Sequence, residues 1–139
     1  MKALYETTII NTGGRHGEVY SEDNIFNMDV AKPAALGGAP TTATNPEQLF
    51  AAGYSSCFNS ALELVLERDK VKVDKSEVKA TISLLGDKEN GGVKLAAKLE
   101  VTIEGIDEGK KHEYVEKAHQ YCPYSKAIKD SVDVEIIVH

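Results

Sequence analysis

The chain has 139 residues, 42% hydrophobic and 27% charged, and a net charge of −6. This is an ordinary globular composition with room for one domain, read as residues 1–139, and not for two. The lysines are scattered and no basic stripe forms, which excludes a nucleic-acid surface built to neutralise phosphates.

The start, MKALYETTII, reads as neither signal peptide nor anchor, and the longest uncharged run, Leu49 to Leu62, is short for a bilayer span and contains Ser55, Ser56 and Asn59. The expectation is a cytoplasmic protein with no membrane partner. In that setting two cysteines are thiols or a transient catalytic disulfide in preference to a structural staple.

In chain order, LYETTII alternates loosely as a strand, NTGGRHG is a glycine-rich turn, and IFNMDV puts Phe26, Met28 and Val30 on one face. Residues 31–44 have no regular period and carry no charge after Lys32. The stretch is expected to act as a lid or site wall lying against apolar material.

A helix then starts at NPEQLF, with Asn45 as N-cap, Pro46 in the first helical position and Gln48 placed to reach back as in a capping box. It should run to about Arg68. It is apolar or small almost all round as far as Leu62, which puts it at the centre of the fold. Two alternating strands follow, around Val78–Leu84 and Val93–Ile103, joined by a GDKENGG hairpin. Asp107 opens an amphipathic helix with Val115, Ala118 and Cys122 on one face; Pro123 ends it, a short helix restarts, and VDVEIIVH closes as a strand. The expected class is α+β, with antiparallel sheets wrapped around a central buried helix.

The two cysteines differ in setting. Cys57 lies midway along the central helix, with Phe50, Tyr54, Ala61 and Leu64 at turn spacings. As a small hydrophobe it would simply fill core, and burial would keep its thiol protonated unless a cation stood near. Cys122 would be the N-cap of the helix that Pro123 opens, a setting that favours a thiolate, or else a filler of the Val115/Ala118 face. Only two arginines could supply a cation. Arg68 reads as a solvated helix end, and Arg15 is carried on the glycine-flanked GGRHG loop. Glu47 falls in the first turn of the central helix, where a carboxylate suits the macrodipole. Spacing alone does not connect these residues. A zinc site from His112, His119 and Cys122 is disfavoured, since such sites recruit closely spaced ligand pairs from two segments.

NPEQLFAAGYSSCF, followed much later by YCPYSKA and preceded by GGRHG, resembles the organic hydroperoxide resistance proteins of the Ohr/OsmC superfamily along essentially the whole chain. CPYS and Tyr54 look more like the Ohr branch; Asn59 stands where that pattern has a smaller residue. The resemblance implies an intertwined homodimer and a thiol peroxidase. Cys57 would be the peroxidatic cysteine, Cys122 the resolving one, Arg15 the arginine at the reactive sulfur and Glu47 the carboxylate that orients it. It also implies no bound cofactor or metal, and recycling by the dihydrolipoyl group of a lipoylated protein. Phe50, Tyr54 and residues 33–44 are then candidate walls for the organic tail of a hydroperoxide. The alternatives weighed beside this are an OsmC-like peroxidase of broader specificity, a non-catalytic module binding hydrophobic ligands, and a slow redox sensor.

Overall fold

Short alternating stretches and glycine turns build the N-terminal third, and long alternating strands with two helices build the rest. The computed structural model describes residues Met1–His139, and their contacts separate into two units, Met1–Leu49 and Phe50–His139.

In the first unit, β1 (Ile9–Thr12), β2 (Gly17–Ser21) and β3 (Asn27–Val30) form an antiparallel meander. β1 begins five residues later than the alternation of LYETTII predicts, because its register with β2 runs only from Ile9 opposite Ser21 to Thr12 opposite Glu18. The turn between them holds Gly13 and Gly14 at φ 81 and 60, which favours glycine. Asn11 laces this turn, accepting from the Gly14 N–H and donating to the Gly14 and Glu18 carbonyls.

Of the predicted Phe26/Met28/Val30 face, only Val30 is buried; Phe26 and Met28 stay exposed. Val30 is covered where Thr44 returns to bridge it, the Ala31 N–H donating to Thr44 at 2.9 Å and the Thr44 N–H to Asp29 at 3.0 Å. The intervening segment makes one 3-10 turn, Ala34–Leu36, closed by Gly37 in the left-handed region. Most of it is exposed, contrary to the expectation drawn from its lack of charge. Its alanines, glycines and threonines have little apolar area to hide.

The helix α1 (Pro46–Arg68) has the predicted bounds. Asn45 caps it, its Oδ1 accepting from the Gln48 N–H at 2.8 Å. Gln48 does not close a capping box; its Oε1 instead accepts from the Thr44 hydroxyl at 2.9 Å.

In the second unit, β4 (Lys75–Gly86) and β5 (Val93–Glu104) form the long hairpin, with Gly91 and Gly92 at positive φ in its turn. β6 (Asp133–Val138) pairs with β5 in parallel, so this sheet is mixed. The parallel pair follows from the crossover through α2 (Glu108–Tyr121) and α3 (Pro123–Ile128), which returns the chain in the direction of β5.

Asp107 caps α2 as read, accepting from the Lys110 N–H at 2.8 Å. The core joins Tyr54, Phe58, Leu62 and Val65 of α1 to Leu99, Val101 and Ile103 of β5 and to Tyr114, Val115 and Ala118 of α2. α1 is long and apolar enough to cross a membrane by length and composition. It is not buried all round as expected. One face packs into this core, while Ala52, Ser56 and Ser60 are exposed. The small residues that make the helix look uniformly apolar mark its open side.

Leu62, fully buried on α1, should be a main strut of this core. Leu62→Ala is expected to lower the unfolding free energy in urea by about 2–5 kcal/mol. Asn45→Ala, which removes only the cap, should lower it by about 1 kcal/mol. Equal effects would show that the core is not organised around this helix face.

Candidate active site

The break between α2 and α3 positions Cys122. Its N–H donates to the Ala118 carbonyl at 2.8 Å as the last bond of α2, and its own carbonyl accepts from the Lys126 N–H at 3.0 Å as the first of α3. Proline suits the next position, since its missing N–H would have no helical partner and its φ is already helical. Cys122 thus occupies the N-cap position expected from the sequence, and it also belongs to the core cluster that holds Val115 and Ala118.

Its side chain makes no capping hydrogen bond to α3. The fully buried thiol instead donates to the sulfur of Cys57, 3.5 Å away and 65 residues earlier in the chain. Both cysteines are free. A disulfide has an S–S length of about 2.05 Å, so closing the bond needs an approach of roughly 1.5 Å, within the reach of a local shift.

Cys57 is half-buried on α1. Burial pushes its thiol pKa up, and the adjacent Cys122 pushes it further. A hydrogen bond from the Tyr124 backbone N–H acts the other way. The amide of the second residue of α3 is therefore directed at Cys57, not at the thiol that caps the helix.

The rings around Cys57 form one aromatic cluster. Phe50, half-buried, meets Tyr54 and Tyr124 edge-on, each at 6.2 Å between centroids. Tyr54 stacks on Tyr124 at 6.0 Å and is fully buried, so its ring lies behind Phe50 and Tyr124 as core. Gly53 permits this arrangement, because a Cβ there would lie 2.6 Å from the Tyr124 hydroxyl oxygen. His119 entered only as a disfavoured zinc ligand, and Tyr124 and Ser125 only as letters of the CPYS motif; no role beside the sulfurs was read for any of them. Their one signal is position, within one turn of Cys122.

Asn59 ties α1 to β4 by donating to the Ser76 carbonyl at 3.3 Å, while its Oδ1 is buried without a partner. Arg68 stays at the end of α1, its guanidinium 5.2 Å from the centre of the Tyr121 ring. No three His, Cys, Asp or Glu side chains converge in a metal-ligand arrangement.

The first unit holds the charged pair. Arg15 and Glu47, 32 residues apart, form a two-pronged ion pair: Nη1 donates to Oε2 at 2.9 Å and Nη2 to Oε1 at 2.5 Å. Such a fork fixes the guanidinium plane as well as its charge. The hydrogen bond from Arg15 holds the Glu47 carboxyl below its usual range against the opposing effect of burial, and the Glu47 hydrogen bond raises the arginine. With side chains 33% and 17% exposed, the pair is partly screened and modest as a source of stability.

The family model described as OsmC-like protein matches residues 37–137. An organic hydroperoxide resistance protein-like 2 of Staphylococcus saprophyticus is 55% identical over 138 residues, covering 99% of this chain and 97% of that protein. The crystal structure of an organic hydroperoxide resistance protein from Legionella pneumophila superposes with a TM-score of 0.93 at 42% identity, over 99% of this chain and 98% of that one. That of the organic hydroperoxide resistance protein OhrB of Bacillus subtilis gives 0.89 at 41% identity, over 99% and 100%.

The Glu47 shift fixes the sign of a pH effect. A carboxyl whose pKa is lowered in the folded state contributes stability above its unfolded value, near 4.5, and loses it as pH falls through the folded one. The difference in unfolding free energy between wild type and Glu47→Gln is expected to be constant above that value and to shrink below it, measured by denaturant titration across a pH series. A constant difference down to strongly acid pH would show that the pair does not form.

Proposed function

The chain belongs to the OsmC-like family, in its organic hydroperoxide resistance branch, and on that premise we propose that it is a cysteine peroxidase that detoxifies organic hydroperoxides. The observation that carries the reading is the pair of free thiols 3.5 Å apart. A packing role for either cysteine would not require the two sulfurs to meet.

In this mechanism the Cys57 thiolate attacks the O–O bond, becomes a sulfenic acid and releases the alkoxide, which leaves as an alcohol after taking a proton. The Cys122 thiol condenses with the sulfenic acid, forming the Cys57–Cys122 disulfide and water. Thiol exchange with an external dithiol, the dihydrolipoyl group of a lipoylated protein, restores both thiols. No bound cofactor enters the scheme.

The raised pKa of Cys57 defines what else is needed. The Tyr124 amide supports the thiolate, but burial outweighs it, so a permanent cation must contribute. Arg15 is that group in this reading, since it cannot lose its proton, and Glu47 orients its fork while neutralising part of its charge. In this reading Phe50, with Tyr54 behind it, walls the path of the organic tail. Hydrogen peroxide has no tail to bury, so bulky and fatty-acid hydroperoxides are the favoured substrates.

The functional form in this reading is an intertwined homodimer. Its support is the sparse burial in the first unit, where Val30 and Thr44 are buried while Leu4, Tyr5, Ile25 and Met28 are exposed. So few buried side chains do not sustain a segment of that size unaided. A reducing, cytoplasmic setting completes the picture, since both thiols must be reduced before each turnover.

The decisive measurement is the loss of free thiols after one equivalent of organic hydroperoxide, with hydrogen peroxide alongside. Fast loss of both thiols with the organic peroxide and little with hydrogen peroxide is expected for wild type, with no fast reaction for Cys57→Ser. Arg15→Ala should slow the reaction by roughly a hundredfold or more. Equal rates with both peroxides would point to a broader OsmC-like peroxidase. No fast loss with either would leave a ligand-binding module with Cys57 as a packing residue.

A further inference from the structure

Ser125, one turn after Cys122, is buried, and its hydroxyl lies 2.8 Å from the Tyr54 hydroxyl and 2.9 Å from Nδ1 of His119. Each partner stands one turn before a thiol, Tyr54 before Cys57 on α1 and His119 before Cys122 on α2. One oxygen atom therefore joins the three helical segments that set where the two sulfurs stand. A serine in a helix commonly satisfies itself on a carbonyl of the preceding turn, as Ser55 and Ser56 do on Ala52 at 3.1 and 2.8 Å. Ser125 is instead engaged by side chains from two other segments.

We infer that Ser125, tied to Tyr54 and His119, is a positioning residue for the disulfide-forming step, holding Cys122 aimed at Cys57; this rests on the peroxidase reading above. In that step the Cys57 S–O bond breaks and the S–S bond forms. The proton of the Cys122 thiol leaves with the departing hydroxyl as water, so no outside oxidant or reductant is consumed. The sulfenic oxygen occupies space between sulfurs that begin 3.5 Å apart, and Cys122 stands at the junction where α2 ends and α3 begins. A fixed link from α3 to α1 keeps the second thiol in an attacking orientation through this change, the situation in which loss of orientation is felt directly in rate. The first step, attack on peroxide, forms no bond to Cys122, so its rate is not set by where the second thiol is held.

The test uses the full-length reduced protein and tert-butyl hydroperoxide. Sulfenic acid at Cys57 is trapped with dimedone and read by mass, and disulfide closure is followed by thiol counting, in wild type, Ser125→Ala, Tyr54→Phe and the double variant. In each variant, sulfenic acid formation should be slowed far less than disulfide closure. Disulfide closure should slow by roughly tenfold or more in the variants, so that the dimedone adduct accumulates. The double variant should be no slower than Ser125→Ala, because both deletions remove the same hydrogen bond.

Should Ser125→Ala fail to fold, Tyr54→Phe, which keeps the ring, carries the comparison. Closure at the wild-type rate in either variant, or equal slowing of both steps, would overturn the inference. If wild type neither forms the adduct nor loses thiols, the peroxidase reading itself fails and the inference falls with it.

Discussion

The approach of two sulfurs to 3.5 Å is the constraint around which the second unit is arranged. Cys57 is carried by a long helix whose position is fixed by Tyr54, Phe58 and Leu62 in the core. Cys122 must arrive from a different segment with its side chain directed inward, and it does so because the chain stops being one helix there and starts another. The proline makes this junction stable without leaving a backbone donor stranded. Cys122 is thereby both a core residue and the nearest neighbour of the other thiol.

Burial also works against ionisation of the Cys57 thiol. Around Cys57 the desolvation that raises its pKa is countered only in part by the Tyr124 amide. Within the first unit, an asparagine-laced glycine turn carries Arg15, and a carboxylate in the first turn of α1 grips its fork. A partly exposed ion pair adds little to folding stability. Its value is geometric, since a guanidinium with a defined plane presents its donors in a defined direction. Glu47 and Cys57 lie on the same helix, so the element that carries the half-buried thiol also carries the carboxylate that grips the Arg15 fork.

Much of this was legible in the residues. The caps Asn45 and Asp107, the proline break and the alternation in β4 and β5 are local signals, and local hydrogen bonding decides them. The N-terminal strands were less legible because a strand exists only where a partner of matching length does, and β2 is five residues long. The burial of α1 was overestimated because alanine and serine are compatible with either side of a packed helix. The uncharged segment before α1 misled for the same reason: lack of charge is not possession of apolar surface.

At the site, the two cysteines, Arg15 and Glu47 came from the resemblance, and their spacing did not join them. The pairs Arg15–Glu47 and Cys57–Cys122 are separated by 32 and 65 residues, distances over which no periodicity carries information. Ser125 and His119 matter through bonds that exist only after the helix break has folded.

Gly53 in the middle of α1 disfavours the helix by about 1 kcal/mol relative to alanine. Yet it is the residue on which the Tyr124 ring rests, and any Cβ would press on the far end of that ring. The ring is continuous with the backbone amide that reaches Cys57. A change at position 53 would therefore be felt at the sulfur through a residue 71 positions away. The two positions are coupled as a lock and its tumbler: a larger residue at position 53 is accommodated only as the aromatic at the start of α3 turns or shrinks.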